Sequence, residues 1–102
     1  MSNPFRESES GTGLKDEVRE PSKYKVLLHN DDYTTMAFVV EVLQTVFHKT
    51  EIDATRIMLA VHKHGMGICG VYTAEVAETK VIAVRWMARQ SGFPLKCTME
   101  EE

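Results

Sequence analysis

With 102 residues the chain has room for a single domain. Its 15 acidic and 12 basic side chains leave a net charge of -3, and no stretch gathers lysine and arginine into a phosphate-binding footprint, which argues against nucleic acid as a partner. The apolar runs fall far short of a bilayer span and the polar start lacks the apolar centre of an export signal, so a cytoplasmic location without a membrane partner is expected.

Residues 1–22 carry Ser, Glu, Gly and Pro around three large apolar side chains, Met1, Phe5 and Leu14, too few for a core. They are expected to form a flexible, disordered N-terminal tail, leaving residues 23–102 as the folded domain. A short strand opens that domain at Tyr24 to His29, with Val26, Leu27 and Leu28 as its apolar centre. The run Asn30-Asp31-Asp32-Tyr33-Thr34 ends the strand. Short polar side chains gathered at a strand-to-helix junction present carbonyl and carboxylate oxygens. Such a cluster suits a turn and a helix cap first, and the binding of something cationic second.

Met36, Val39, Val40, Leu43, Val46 and Phe47 recur at spacings of three and four, which predicts a helix with Thr34 as its N-cap. Ala37 stands where a capping box would need glutamate. A second helix is predicted from Thr50, with Asp53 three residues on, a stripe of Ala54, Ile57, Met58 and Val61, and Gly65 as its stop. His62 lies beside that stripe. Met66 to Tyr72 reads as a strand with close-packing glycines at Gly67 and Gly70. Thr73 is the expected cap of a third helix, in which Glu75 and Glu78 suit the positive end of the macrodipole and Ala77, Val81, Val84 and Ala88 face inward. Gly92 and Pro94 end it, and Leu95 to Met99 forms the last strand. The order is β-α-α-β-α-β, an α+β fold with a small antiparallel sheet packed on three helices.

Catalytic and metal chemistry find little support. His62 and His64, two apart on a helix, point to different sides, and Asp31 and Asp32 have too few carboxylates nearby to complete an oxygen shell. Cys69 and Cys97 fall in apolar strand contexts and are expected to be free buried thiols without an activating base. No enzyme and no cofactor are therefore expected. Taken alone, His62, Met58 and Val61 read as core or boundary residues, and Glu75, Thr79 and Lys80 as a solvated helix face.

The strings Tyr24-Lys25-Val26-Leu27-Leu28, Asn30-Asp31-Asp32-Tyr33-Thr34, Met36, Phe38-Val39, Met58 to His62, Gly70 through Lys80, Pro94-Leu95 and Cys97-Thr98 together resemble the ClpS family. Its members are adaptors that deliver substrates with destabilising N-terminal residues to the Clp ATPase-protease of bacteria. The resemblance implies a pocket for a free α-amino group and the side chain of an N-terminal Phe, Leu, Trp or Tyr. It places Asn30, Asp32 and His62 on the ammonium, with Asp31 adding negative potential or a water-mediated contact. It places Leu28, Thr34, Met36, Val39, Met58, Val61 and Leu95 around the side-chain hole, and Glu75, Thr79 and Lys80 on a surface that docks the N-terminal domain of a ClpA-like ATPase. A plain interaction domain related to the C-terminal domain of the ribosomal stalk shares the coarse pattern but lacks the amino-group cage. Thr35 stands where most members have proline and Ala37 where many have glutamate, which implies a looser start to the first helix and a shifted ranking of ligands.

Overall fold

The computed structural model describes residues 21–102, so the tail expected at 1–22 lies, apart from Pro21 and Ser22, outside the described residues. The elements in chain order are β1 (Lys23–His29), α1 (Met36–Thr45), α2 (Glu51–His64), β2 (Met66–Thr73), α3 (Ala74–Ser91) and β3 (Lys96–Glu101). This is the α+β order expected from the sequence.

The sheet runs β2-β1-β3 with both pairs antiparallel, which makes β1 the central strand. Two neighbours and a helical layer explain why Val26 and Leu28 are completely buried. Alternation along β1 turns Lys25 and His29 to the opposite face. There Lys25 pairs with Glu100 at 3.5 Å and His29 shares a 2.8 Å hydrogen bond with Thr98, so polar links tie β1 to β3. The pairing of β1 with β2 slips between Val26 and Leu27, where Val26 faces Gly70 and Leu27 faces Ile68. Cys69 is the extra residue of this bulge.

Helices α1, α2 and α3 cover the inner face. Phe38, Val39, Val42, Leu43, Val46 and Phe47 come from α1 and the turn after it, Ala54, Met58 and Val61 from α2, and Ala77, Val81, Val84 and Ala88 from α3. Burial of Phe38 and Val42 adjusts the predicted stripe, because α1 also packs toward the end of α3, where Phe38 and Phe93 sit with ring centroids 4.8 Å apart. Removing a side chain such as Leu43, with no exposed surface, would cost about 2–5 kcal/mol.

Helix ends show where the sequence reading needs correction. The N-cap of α1 is Thr35, whose hydroxyl accepts the Phe38 N–H at 3.1 Å; Thr34 is displaced from that role because its own hydroxyl donates to Asp31. Thr35 has φ -74°, close to the angle a proline ring imposes, and it adds a side-chain cap at the place where a looser start was expected. Thr50 caps α2 by accepting the Asp53 N–H at 3.2 Å, whereas the Asp53 carboxylate pairs with Arg56 at 2.6 Å. Thr73 holds the extended N-cap backbone of α3 without a side-chain cap bond. Gly65, at φ 91°, closes α2 in the left-handed conformation that glycine adopts at least cost.

Both cysteines are free and buried, Cys69 on β2 and Cys97 on β3, one on either side of β1. Burial pushes the Cys97 thiol up to about 12 even with Arg85 nearby, and pushes Cys69 higher still, with Cys97 as a second cause.

Candidate functional site

The end of β1, the loop 30–34, the first turn of α1 and the last turns of α2 meet around one pocket of about 230 Å³. One backbone bond assembles it: the Asn30 N–H donates to the Gly65 carbonyl at 2.8 Å, fastening the polar loop to the C-cap of α2 three residues beyond His62. A second constraint comes from β2. Any Cβ at position 67 would lie 2.9 Å from Cγ2 of Val61, so Gly67 allows α2 to settle closely on the sheet and sets the position of Val61.

The lining is divided by chemistry. Asn30, Asp31, Asp32 and His62 are polar; Met36, Val39, Met58 and Val61 are apolar; Thr34 stands between them. Every one of these nine residues was singled out from sequence, and they come from two helices and a loop. Leu28 and Leu95 do not line the pocket. Leu28 is wholly enclosed in the core on the central strand, and Leu95 is buried beside a different recess with Arg85, Ala88, Arg89, Phe93 and Pro94. Met36, placed on the buried stripe by its spacing, is 45% exposed and forms part of the rim.

Asp31 organises the loop. Its Oδ1 accepts the Tyr33 N–H at 2.8 Å and the Thr34 N–H at 2.7 Å, and its Oδ2 accepts the Thr34 hydroxyl at 2.7 Å. Partial burial would raise the carboxyl's pKa, but the Thr34 hydroxyl and the two N–H donors together outweigh it and hold the group below its ordinary value. Asp32 is exposed beside it. His62 occupies the last turn of α2, the negative end of that helix dipole.

The α3 surface carries the other predicted cluster. Glu75 and Thr79 are exposed, with the Thr79 hydroxyl donating to the Glu75 carbonyl at 3.1 Å. Lys80 is only half-exposed: its Nζ donates to the Val46 carbonyl at 2.7 Å and lies 5.7 Å from the Tyr72 ring centroid, fastening α3 to the end of α1. Thr79 and Lys80 open onto an apolar groove of about 570 Å³ completed by Thr45, Val46, Ile82, Ala83, Trp86 and Met87. Sequence reading missed this groove, although Ile82 and Trp86, four apart and off the inward stripe of α3, were its available signal.

Among the described residues no three His, Cys, Asp or Glu side chains are grouped so as to hold a metal ion, and no helix is long and apolar enough to cross a membrane. Fold and pocket together define a small α+β binding domain whose cavity offers acceptors on one side and apolar walls on the other.

Comparison with known proteins places that domain. Residues 19–98 match the family model described as ATP-dependent Clp protease adaptor protein ClpS. The ClpS of Nitratidesulfovibrio vulgaris strain Miyazaki F is 66% identical over 88 residues, covering 86% of this chain and 88% of that protein. The ClpS of Maricaulis maris is 59% identical over 98 residues, covering 92% of this chain and 90% of that one. Among solved structures, Agrobacterium tumefaciens ClpS2 bound to L-phenylalaninamide superimposes with a TM-score of 0.79 at 40% identity, over 81% of this chain and all of that one. The chain belongs to the ClpS family of ATP-dependent Clp protease adaptor proteins.

Proposed function

We propose that the pocket recognises the free α-amino group and large side chain of an N-terminal Phe, Leu, Trp or Tyr, and that the chain, acting in the cytoplasm and without catalysis of its own, hands such substrates to a ClpA-like ATPase of the Clp protease. The observation that carries this reading is the juxtaposition of Asn30, Asp32 and His62 with the apolar wall of Met36, Val39, Met58 and Val61 in one cavity. An ammonium has three donors and no acceptor, so it needs acceptors around it, which side-chain oxygens and an imidazole nitrogen can supply. The carboxylates and the C-terminal end of α2 add potential of the matching sign. At about 230 Å³ the cavity lies below the range of roughly 300–1,000 Å³ usual for whole small molecules, a size suited to one side chain.

The two halves divide the energetics. An aromatic side chain hides about 150–250 Å² on burial, worth on the order of 4–6 kcal/mol of gross transfer free energy. Charge-assisted hydrogen bonds add roughly 1.5–3 kcal/mol each, and their larger effect is exclusion, since an acetylated or internal residue leaves the acceptors without donors. The ATPase-docking surface is proposed on α3 at Glu75, Thr79 and Lys80, away from the pocket. Fluorescence anisotropy with paired peptides, one beginning in free Phe and one in acetyl-Phe, tests the reading. Binding of the free peptide alone is expected; equal binding of both would end it.

A further inference from the structure

We infer that Asp31 is a positioning residue, whose carboxylate sets the polar side of the pocket by holding Thr34 and makes no contact with the ligand's ammonium. The inference rests on the amino-group reading above and assigns the two adjacent carboxylates different work.

A carboxylate offers about four acceptor directions. Asp31 commits three of them inside its own loop, to the Tyr33 N–H, the Thr34 N–H and the Thr34 hydroxyl, at 2.7–2.8 Å. Both oxygens are thereby aimed along the chain at residues two and three positions on. Asp32 is the exposed carboxylate of the pair.

The bond to Oδ2 has a consequence at the pocket. Thr34 lines the cavity, and its hydroxyl is tied to Oδ2 of Asp31, so its side chain is held in one orientation there. That fixes the boundary between the apolar wall and the polar rim. Without Asp31, the hydroxyl is released to rotate, and two backbone N–H groups lose the partner that fixes the turn between β1 and the cap of α1. The same loop carries Asn30 and Asp32, so its order is the order of the cage.

Asparagine at position 31 separates positioning from charge. Its side-chain oxygen can keep both backbone N–H bonds and its amide can donate to the Thr34 oxygen, while the negative charge is gone. Affinity for a Phe-start peptide would be measured on the full chain and on Asp31→Ala, Asp31→Asn, Thr34→Val, Thr34→Ser and the Asp31→Ala/Thr34→Val pair, at low and high salt. Asp31→Ala and Thr34→Val are each expected to lose about tenfold, and the double variant no more than the weaker single one, because the two residues act as a unit. Asp31→Asn and Thr34→Ser are expected to stay within about twofold of the parent, with the parent's salt dependence. Asp31→Asn binding as poorly as Asp31→Ala, or losses that add in the double variant, would overturn the inference. Thermal melting identifies any variant that fails to fold, in which case Asp31→Asn against Thr34→Val decides. The parent's preference for free Phe over acetyl-Phe is measured first: its absence removes the amino-group reading and this inference with it, whereas its presence with an intolerant Asp31→Asn removes the inference alone.

Discussion

The pocket at the end of β1 and the groove along α3 are both concave, yet they are built from different materials. The pocket is the smaller, about 230 Å³ against about 570 Å³, and mixes oxygens and an imidazole with an apolar wall. The groove is walled mainly by Val46, Ile82, Ala83, Trp86 and Met87. Apolar walls reward any matching surface, since the hydrophobic effect has no direction. Acceptors fixed on a tied-down loop reward one chemical group and penalise its analogues. Size is therefore a poor guide to selectivity in this molecule; the constrained polar edge is the better one.

The largest expected effect would break the comparison at its polar side. His62→Ala or Asp32→Ala should each cost roughly 1.5–3 kcal/mol of Phe-start peptide binding. Titration calorimetry checks both, and unchanged affinity in the two variants would refute the assignment. Next comes the rim. Met36 is half-exposed on the pocket lining, and on the proposed reading it crowds a side chain branched at Cβ, so Met36→Ala should improve Ile-start and Val-start binding by about tenfold, in line with the roughly 1–3 kcal/mol that a methyl-sized clash is worth. An unchanged ratio of Leu-start to Ile-start affinity would show that Met36 is no gate.

A smaller effect should appear on the other face. Lys80→Ala removes the bond to the Val46 carbonyl and the contact with Tyr72, for about 1 kcal/mol of stability. With Glu75→Ala it should weaken capture of the ATPase's N-terminal domain while leaving peptide affinity within error. A shared loss of both activities would mean that the two regions are one functional surface. The smallest concerns the loop itself. Asp31 has a depressed pKa in the folded chain, so its contribution to stability is present above the ordinary value of 3.8 and disappears as the pH falls through the lower, folded value. Asp31→Ala should therefore melt earlier than the parent at neutral pH, by no more than about 1 kcal/mol, and the two melting curves should converge in acid.

Much of this architecture is legible in the sequence, for reasons specific to each segment. Glycines at 65 and 92 and the run of small and branched residues on α3 announce their elements locally, and the elements came out in the expected order. Thr34 and Thr35 were harder. Two adjacent threonines are equivalent as caps until tertiary structure decides which hydroxyl another partner claims, and Asp31 claims that of Thr34. Met36 and Leu28 illustrate a second barrier. Spacing marks a residue as apolar-facing but does not say whether that face meets the core, as at Leu28, or the edge of a cavity, as at Met36. The nine pocket residues were named through resemblance, since nothing in local pattern brings Asn30 to the end of α2; that depends on the bond to Gly65. The α3 groove depends on the end of α1, forty residues away in places, and was invisible for the same reason.

Cys69 and Cys97 flank the central strand, enclosed and protonated at neutral pH. Because only a thiolate within reach of solvent reacts, a small alkylating reagent will modify them only as the sheet opens, at a rate that follows the population of the open form when reclosing is fast. They give the chain an internal clock for its own opening, readable by mass on the unaltered protein. Ligand seated between the strand end and α2 should slow that clock, so occupancy of the pocket can be followed through two atoms that never touch it.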